Sequence, residues 1–152
     1  MAASICRRAS LRIIDRFSAE HVAFVGQLDE LQTRLARGAP VEDLVGAVRA
    51  LAGPLLRHAS NEEVLLFPDL IARMGGEGPV QILQQEHRTI HGQVDRLRGT
   101  PSRADFVAVF DAFQQLLRDH IAKEEEVVFP MSAEILGDTR LTEMDEEVPA
   151  AL

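Results

Sequence analysis

Apolar residues recur along the chain at alternating three- and four-residue spacings, the rhythm of helices that bury one face. From Ser10 to Arg37 they fall at Ile14, Phe17, Phe24, Leu28, Leu31 and Leu35, with His21 on the same face. A second run starts near Pro40, where Glu42 and Asp43 suit a first helical turn, and its seam reads Leu44, Val48, Leu51, Leu55, His58, Glu62, Leu65. Pro54 predicts a kink in it. MGGEGP interrupts the pattern, and Pro79 opens a third helix through Val80, Leu83, His87, Ile90, Val94 and Leu97. After RGTPS, Ser102 can cap a fourth, with Phe106, Phe110, Phe113, Leu117, His120, Glu124, Val127 and Met131 inward. The short links between long amphipathic helices predict an all-α fold, an antiparallel up-down-up-down four-helix bundle over residues 10–136. Residues 1–9 read as an N-terminal arm and the weakly periodic 137–152 as an acidic flexible tail.

The chain also repeats itself. EHVAFVGQLDEL (20–31) resembles EHRTIHGQVDRL (86–97), and HASNEEVLLFP (58–68) resembles HIAKEEEVVFP (120–130), as in a duplicated helical hairpin. Every repeat places a polar residue where the apolar pattern calls for a hydrophobe. His58 with Glu62, His87 with His91, and His120 with Glu124 each stand four apart, where Cβ atoms are ~5–6 Å apart on one helix face. Counting from the links puts His21 and His58 at one level, 17 residues before Gly38 and 18 after Pro40. The second hairpin matches less well: His87 precedes Gly99 by 12 residues, whereas His120 follows Ser102 by 18.

Five imidazoles and two carboxylates buried without a counterion would cost several kcal/mol per ion. A bound cation removes that cost. One tetrahedral zinc cannot use so many donors, but two first-row cations ~3.5–4 Å apart can, with carboxylates bridging, and a nitrogen and oxygen set without thiolate favours iron. The metal-ligand set read from the sequence is therefore His21, His58, Glu62, His87, His91, His120 and Glu124. Glu125 is the alternative to Glu124, which is preferred because it matches Glu62 in the repeat and shares the seam. Glu63, Glu125 and Glu126 belong to the solvated side; Glu20 and Glu86 read first as surface charge, with acceptance of imidazole N–H groups as the alternative.

Composition narrows the function classes. A length of 152 residues, 46% hydrophobic, suits one domain with its own core. The net charge of -8 disfavours nucleic acid and anionic membranes as partners. Cys6 is the only cysteine, so a thiolate cage is excluded and a reducing cytoplasm is expected; no apolar run approaches the ~20 residues of a membrane span.

An isolated His21 followed by HASNE, HRTIH and HIAKE on successive helices resembles the hemerythrin family, specifically the bacterial hemerythrin-like (HHE cation-binding) domains. That resemblance implies an oxo- or hydroxo-bridged di-iron centre: His87, His91 and His120 on one iron, His21 and His58 on the other, Glu62 and Glu124 bridging, and an open position for dioxygen. Oxygen-carrying hemerythrins have an aspartate five residues after the last histidine, where this chain has Glu125, while many bacterial relatives use a glutamate four residues after it. The expected function is binding of dioxygen, nitric oxide or peroxide for storage, delivery or sensing, with no catalytic residue assigned. The alternatives are a di-iron stress enzyme that reduces nitric oxide or peroxide or supplies iron for iron–sulfur repair, and a bundle held by structural zinc. Ferritin-like di-iron oxidases are set aside because Glu-x-x-His occurs nowhere in the chain.

Overall fold

The computed structural model describes residues 11–99 and 101–150. The N-terminal arm expected over 1–9 lies outside them. The described residues are all-helical and form four rods, consistent with a helical bundle. The first rod is α1 (Ile13–Ala36) and the third is α4 (Pro79–Arg98). The second joins α2 (Val41–Asn61), a π-helical turn (Glu62–Leu66) and α3 (Phe67–Met74) without a break. The fourth joins α5 (Arg103–Lys123), a second π turn (Glu124–Val128) and α6 (Phe129–Glu146).

Local chemistry accounts for the ends. The Ser102 hydroxyl accepts from the Asp105 N–H and caps α5, while Asp15 and Arg12 close the first turn of α1. Glycines at φ 78° and 88°, Gly38 and Gly75, turn the chain out of α1 and α3. Pro54 is accommodated on the exposed side of α2, which runs through it.

Each π turn ends two residues before a proline. Pro68 and Pro130 have no N–H for the carbonyl four residues back, and their rings crowd that oxygen. Widening the preceding turn relieves the crowding: the Phe67 N–H bonds the Glu62 carbonyl five residues back, and Phe129 does the same with Glu124. The extra residue advances the buried face by one position. Leu66, Phe67 and Leu70 fill the core where an unbroken α-helix would use Leu65, and Val128, Phe129 and Ser132 replace the expected Val127 and Met131. Val127 is 50% exposed.

The residues expected to form a flexible tail from 137 are instead helical as far as Glu146. Gly137, at φ 78°, bends the rod, and the segment beyond it packs back on α1 and α3. Leu141 and Met144 are fully buried there. Asp138 and Asp145 pair with Arg12 and Arg16 at the start of the first rod, and Arg140 with Asp69 of α3, so charges that suggested disorder tie the segment to the neighbouring rods.

Two apolar cores result. One gathers Phe24, Leu28, Leu51, Leu55, Phe106, Phe110 and Phe113 with their neighbours; the other gathers Ile13, Phe17, Phe67, Leu70, Phe129, Leu141 and Met144. The inward histidines and glutamates lie between them, touching Phe24 on one side and Phe17, Phe67 and Phe129 on the other.

The uneven level count in the second half is explained by the length of α4, which ends 11 residues after His87, whereas α1 runs 15 beyond His21. The start of α5 instead reaches the α1–α2 turn, where Arg103 donates to the Ala39 and Leu35 carbonyls. The rings of His87 and His120 consequently meet, with centroids 4.8 Å apart.

Candidate metal centre

Six of the seven residues in the expected ligand set meet in the layer between the cores, and all six are buried. His21 from α1, His58 from α2 and Glu124 from the second π turn form one cluster; His87 from α4, His120 from α5 and Glu62 from the first π turn form the other. In the first, His21 Nε2 lies 3.2 Å from His58 Nε2 and 3.1 Å from Glu124 Oε1, with 4.0 Å between His58 and Glu124. Donors ~2.0–2.2 Å from a common first-row cation stand at such separations from one another.

Each carboxylate spans both clusters. Glu62 Oε1 is 3.3 Å from His58 Nε2 and 3.2 Å from His87 Nε2. Glu124 Oε1 is 3.1 Å from His21 Nε2 and 3.3 Å from His120 Nε2. The six side chains thus close into a ring in which each glutamate links imidazoles of different clusters. Several of these contacts lack hydrogen-bond alignment: both oxygens of Glu62, Glu124 Oε2, His120 Nε2 and both ring nitrogens of His87 are buried without a hydrogen bond. Buried lone pairs aimed at one another cost free energy unless a cation takes them up, so the donor set fits metal ions.

Outer carboxylates orient the rings. Glu20 accepts from His58 Nδ1 at 2.9 Å, Glu86 from His120 Nδ1 at 3.0 Å and Glu125 from His21 Nδ1 at 2.7 Å. These bonds turn each Nε2 to the centre, where its lone pair is free for a cation once the ring is neutral. Glu20 and Glu86 are therefore not surface charge, and Glu125 acts from outside the ring while Glu124 lies within it. The cue in the sequence was the repeated Glu-His pair, since a residue beside a ligand on one helix can reach the ligand of the next.

His91 is the residue the structure does not bring in. It lies on the outer side of α4, 57% exposed, with Nδ1 3.3 Å from Asp95. The buried face of α4 runs through Leu83, Ile90, Val94 and Leu97 and has His87 at one edge, so the ~40° advance of four residues carries His91 past that edge to the outside.

Electrostatics polarise the layer. Burial disfavours charge on His58, but the Glu62 and Glu20 carboxylates outweigh it and raise its pKa to about 9. Burial likewise works against an ionised Glu62, yet the facing His58 and His87 hold its carboxyl well below the ordinary range. Burial, reinforced by His87, lowers His120 to about 4, against the pull of Glu62 and Glu86. His21 is also lowered, by burial and then by the charge on His58.

Fold and site together define an all-helical bundle built around clusters of histidine and glutamate able to hold metal ions. The sequence matches the model of the hemerythrin HHE cation-binding domain over residues 12–132, and the chain belongs to that family. Comparisons with curated proteins and with solved structures gave no match.

Proposed function

We propose that this chain holds two iron ions in an antiparallel up-down-up-down bundle and binds dioxygen, or a related small ligand such as nitric oxide or peroxide, for storage, delivery or sensing. The carrying observation is the closed ring of four buried imidazoles and two buried carboxylates, in which both oxygens of Glu62, Glu124 Oε2, His87 Nε2 and His120 Nε2 lack hydrogen bonds. His21 and His58 would serve one ion, His87 and His120 the other, and Glu62 and Glu124 both. His91 stays outside this set. The ions, when bound, would supply a redox-active centre with affinity for small electron-accepting ligands.

The protein's own residues define what can reach that centre. A cavity of about 10 Å³, lined by Phe24, Leu55, Ile90, Leu117 and Ile121, adjoins the rings of His21, His58, His87 and His120. It has room for one water-sized molecule. Its apolar wall favours an uncharged diatomic over a hydrated ion, while Phe67 and Phe129, stacked on His87 and His21, keep bulk water from the opposite side.

Anaerobic reduction of the iron-loaded protein followed by air tests the reading. A visible charge-transfer band should appear and disappear reversibly as oxygen is added and removed. Oxidation without release would exclude carriage, and turnover of nitric oxide or peroxide in stopped-flow would replace it with an enzyme.

A further inference from the structure

The two halves of the ring are related by the internal repeat, but their surroundings are not equal. His21 corresponds to His87, Glu125 to Glu63, and the Glu20–His58 pair to Glu86–His120. On one side Glu125 holds His21 Nδ1 at 2.7 Å and is itself steadied by the Ser18 hydroxyl at 2.9 Å. On the other, Glu63 stands 3.9 Å from His87 Nδ1, beyond hydrogen-bonding distance, and that buried nitrogen has no hydrogen-bond partner. It borders a groove of about 460 Å³ between α2 and α4, lined by Ser60, Glu63, Arg88 and His91 among others.

A second inequality points the same way. Glu86, which orients His120, also accepts from the Lys123 ammonium, which draws negative charge away from the imidazole. Asn61 is the repeat counterpart of Lys123 beside Glu20. Arg16, which lines one groove with Glu20, has its guanidinium bound to Asp145.

Resting on the two-metal reading above, we propose that the two positions are inequivalent by construction. The position of His21, His58 and Glu124 is the tightly held one, with Glu125 as its positioning residue. The position of Glu62, His87 and His120 is the exchangeable one, loading second and emptying first. An outer carboxylate that fixes a ligating imidazole contributes roughly 10- to 100-fold in metal affinity, and this sets the expected gap.

The test is an anaerobic titration of the metal-stripped full chain with cobalt(II), read by its visible bands. Wild type should take up two equivalents, the first about 10- to 100-fold tighter. Glu125→Ala should weaken the first step by a similar factor and leave the second unchanged, whereas Glu63→Ala should alter neither. Ser18→Ala, a milder change, should shift the first step in the same direction as Glu125→Ala. His87→Ala should keep the tight equivalent and His21→Ala should lose it. Equal sensitivity to Glu125→Ala and Glu63→Ala, or retention of the tight step only in His21→Ala, would overturn the proposal while leaving the two-metal reading intact. Uptake of fewer than two equivalents by wild type would overturn both.

Discussion

His58 and Glu62 show how one pair of residues carries opposite demands. Without metal they form an ion pair, His58 held protonated up to about pH 9 and Glu62 ionised; with metal both must offer lone pairs, so binding has to expel the His58 proton. Metal affinity should therefore rise with pH up to about 9, and proton release on loading, followed with a pH indicator, checks it. Stability of the metal-free chain should peak near neutrality. The raised pKa of His58 stabilises the fold fully below the unfolded value of 6.5 and ceases to do so as pH climbs through about 9. The lowered pKa of His120 acts the other way: its penalty is absent above 6.5 and grows as pH falls towards about 4. Urea midpoints measured across that range in the presence of chelator should trace the dome. Glu62→Ala removes the carboxylate between the clusters and should cut metal content to one equivalent or fewer. Two retained equivalents, by elemental analysis, would contradict the ring as described.

At the scale of elements, the prolines of LLFP and VVFP set the phase of everything that follows the ligands. Reading the apolar pattern as unbroken α-helix places His58, Glu62, His120 and Glu124 correctly, because none lies beyond the first residue of a π turn, and misplaces the next turn by one residue. The signal was present as proline, but how a helix relieves a proline is decided by packing: a kink, a break or a widened turn would each satisfy the local backbone. The end of the fourth rod was illegible for a different reason. DTRLTEMDEE has too few apolar positions to declare a face, and only the pocket offered by α1 and α3 makes Leu141 and Met144 core residues. Leu141→Ala should cost about 2–5 kcal/mol in denaturant unfolding while metal content stays at wild-type level. Gly137→Ala forces a side chain into a left-handed backbone at φ 78° and should cost roughly 1–2 kcal/mol by the same measurement.

Across the whole molecule, the polar layer separates two apolar cores, so metal binding and folding are coupled. Chelation should lower the thermal midpoint by roughly 5–10 °C at metal concentrations near 100 times the dissociation constant, and adding iron or zinc back should restore it. A midpoint unmoved by chelator on metal-loaded protein would show that the layer is held without metal. No helix among the described residues is long and apolar enough to cross a membrane. The sequence by itself determined the four helical rods, the internal repeat and the inward direction of His21, His58, Glu62, His87, His120 and Glu124, because helical periodicity projects each residue onto a face without reference to its neighbours. It could not decide His91, or that Glu20, Glu86 and Glu125 hold imidazoles rather than face solvent. Their roles depend on angles of a few tens of degrees and on which side chain of the next rod lies within 3 Å, quantities that exist only once the rods have packed.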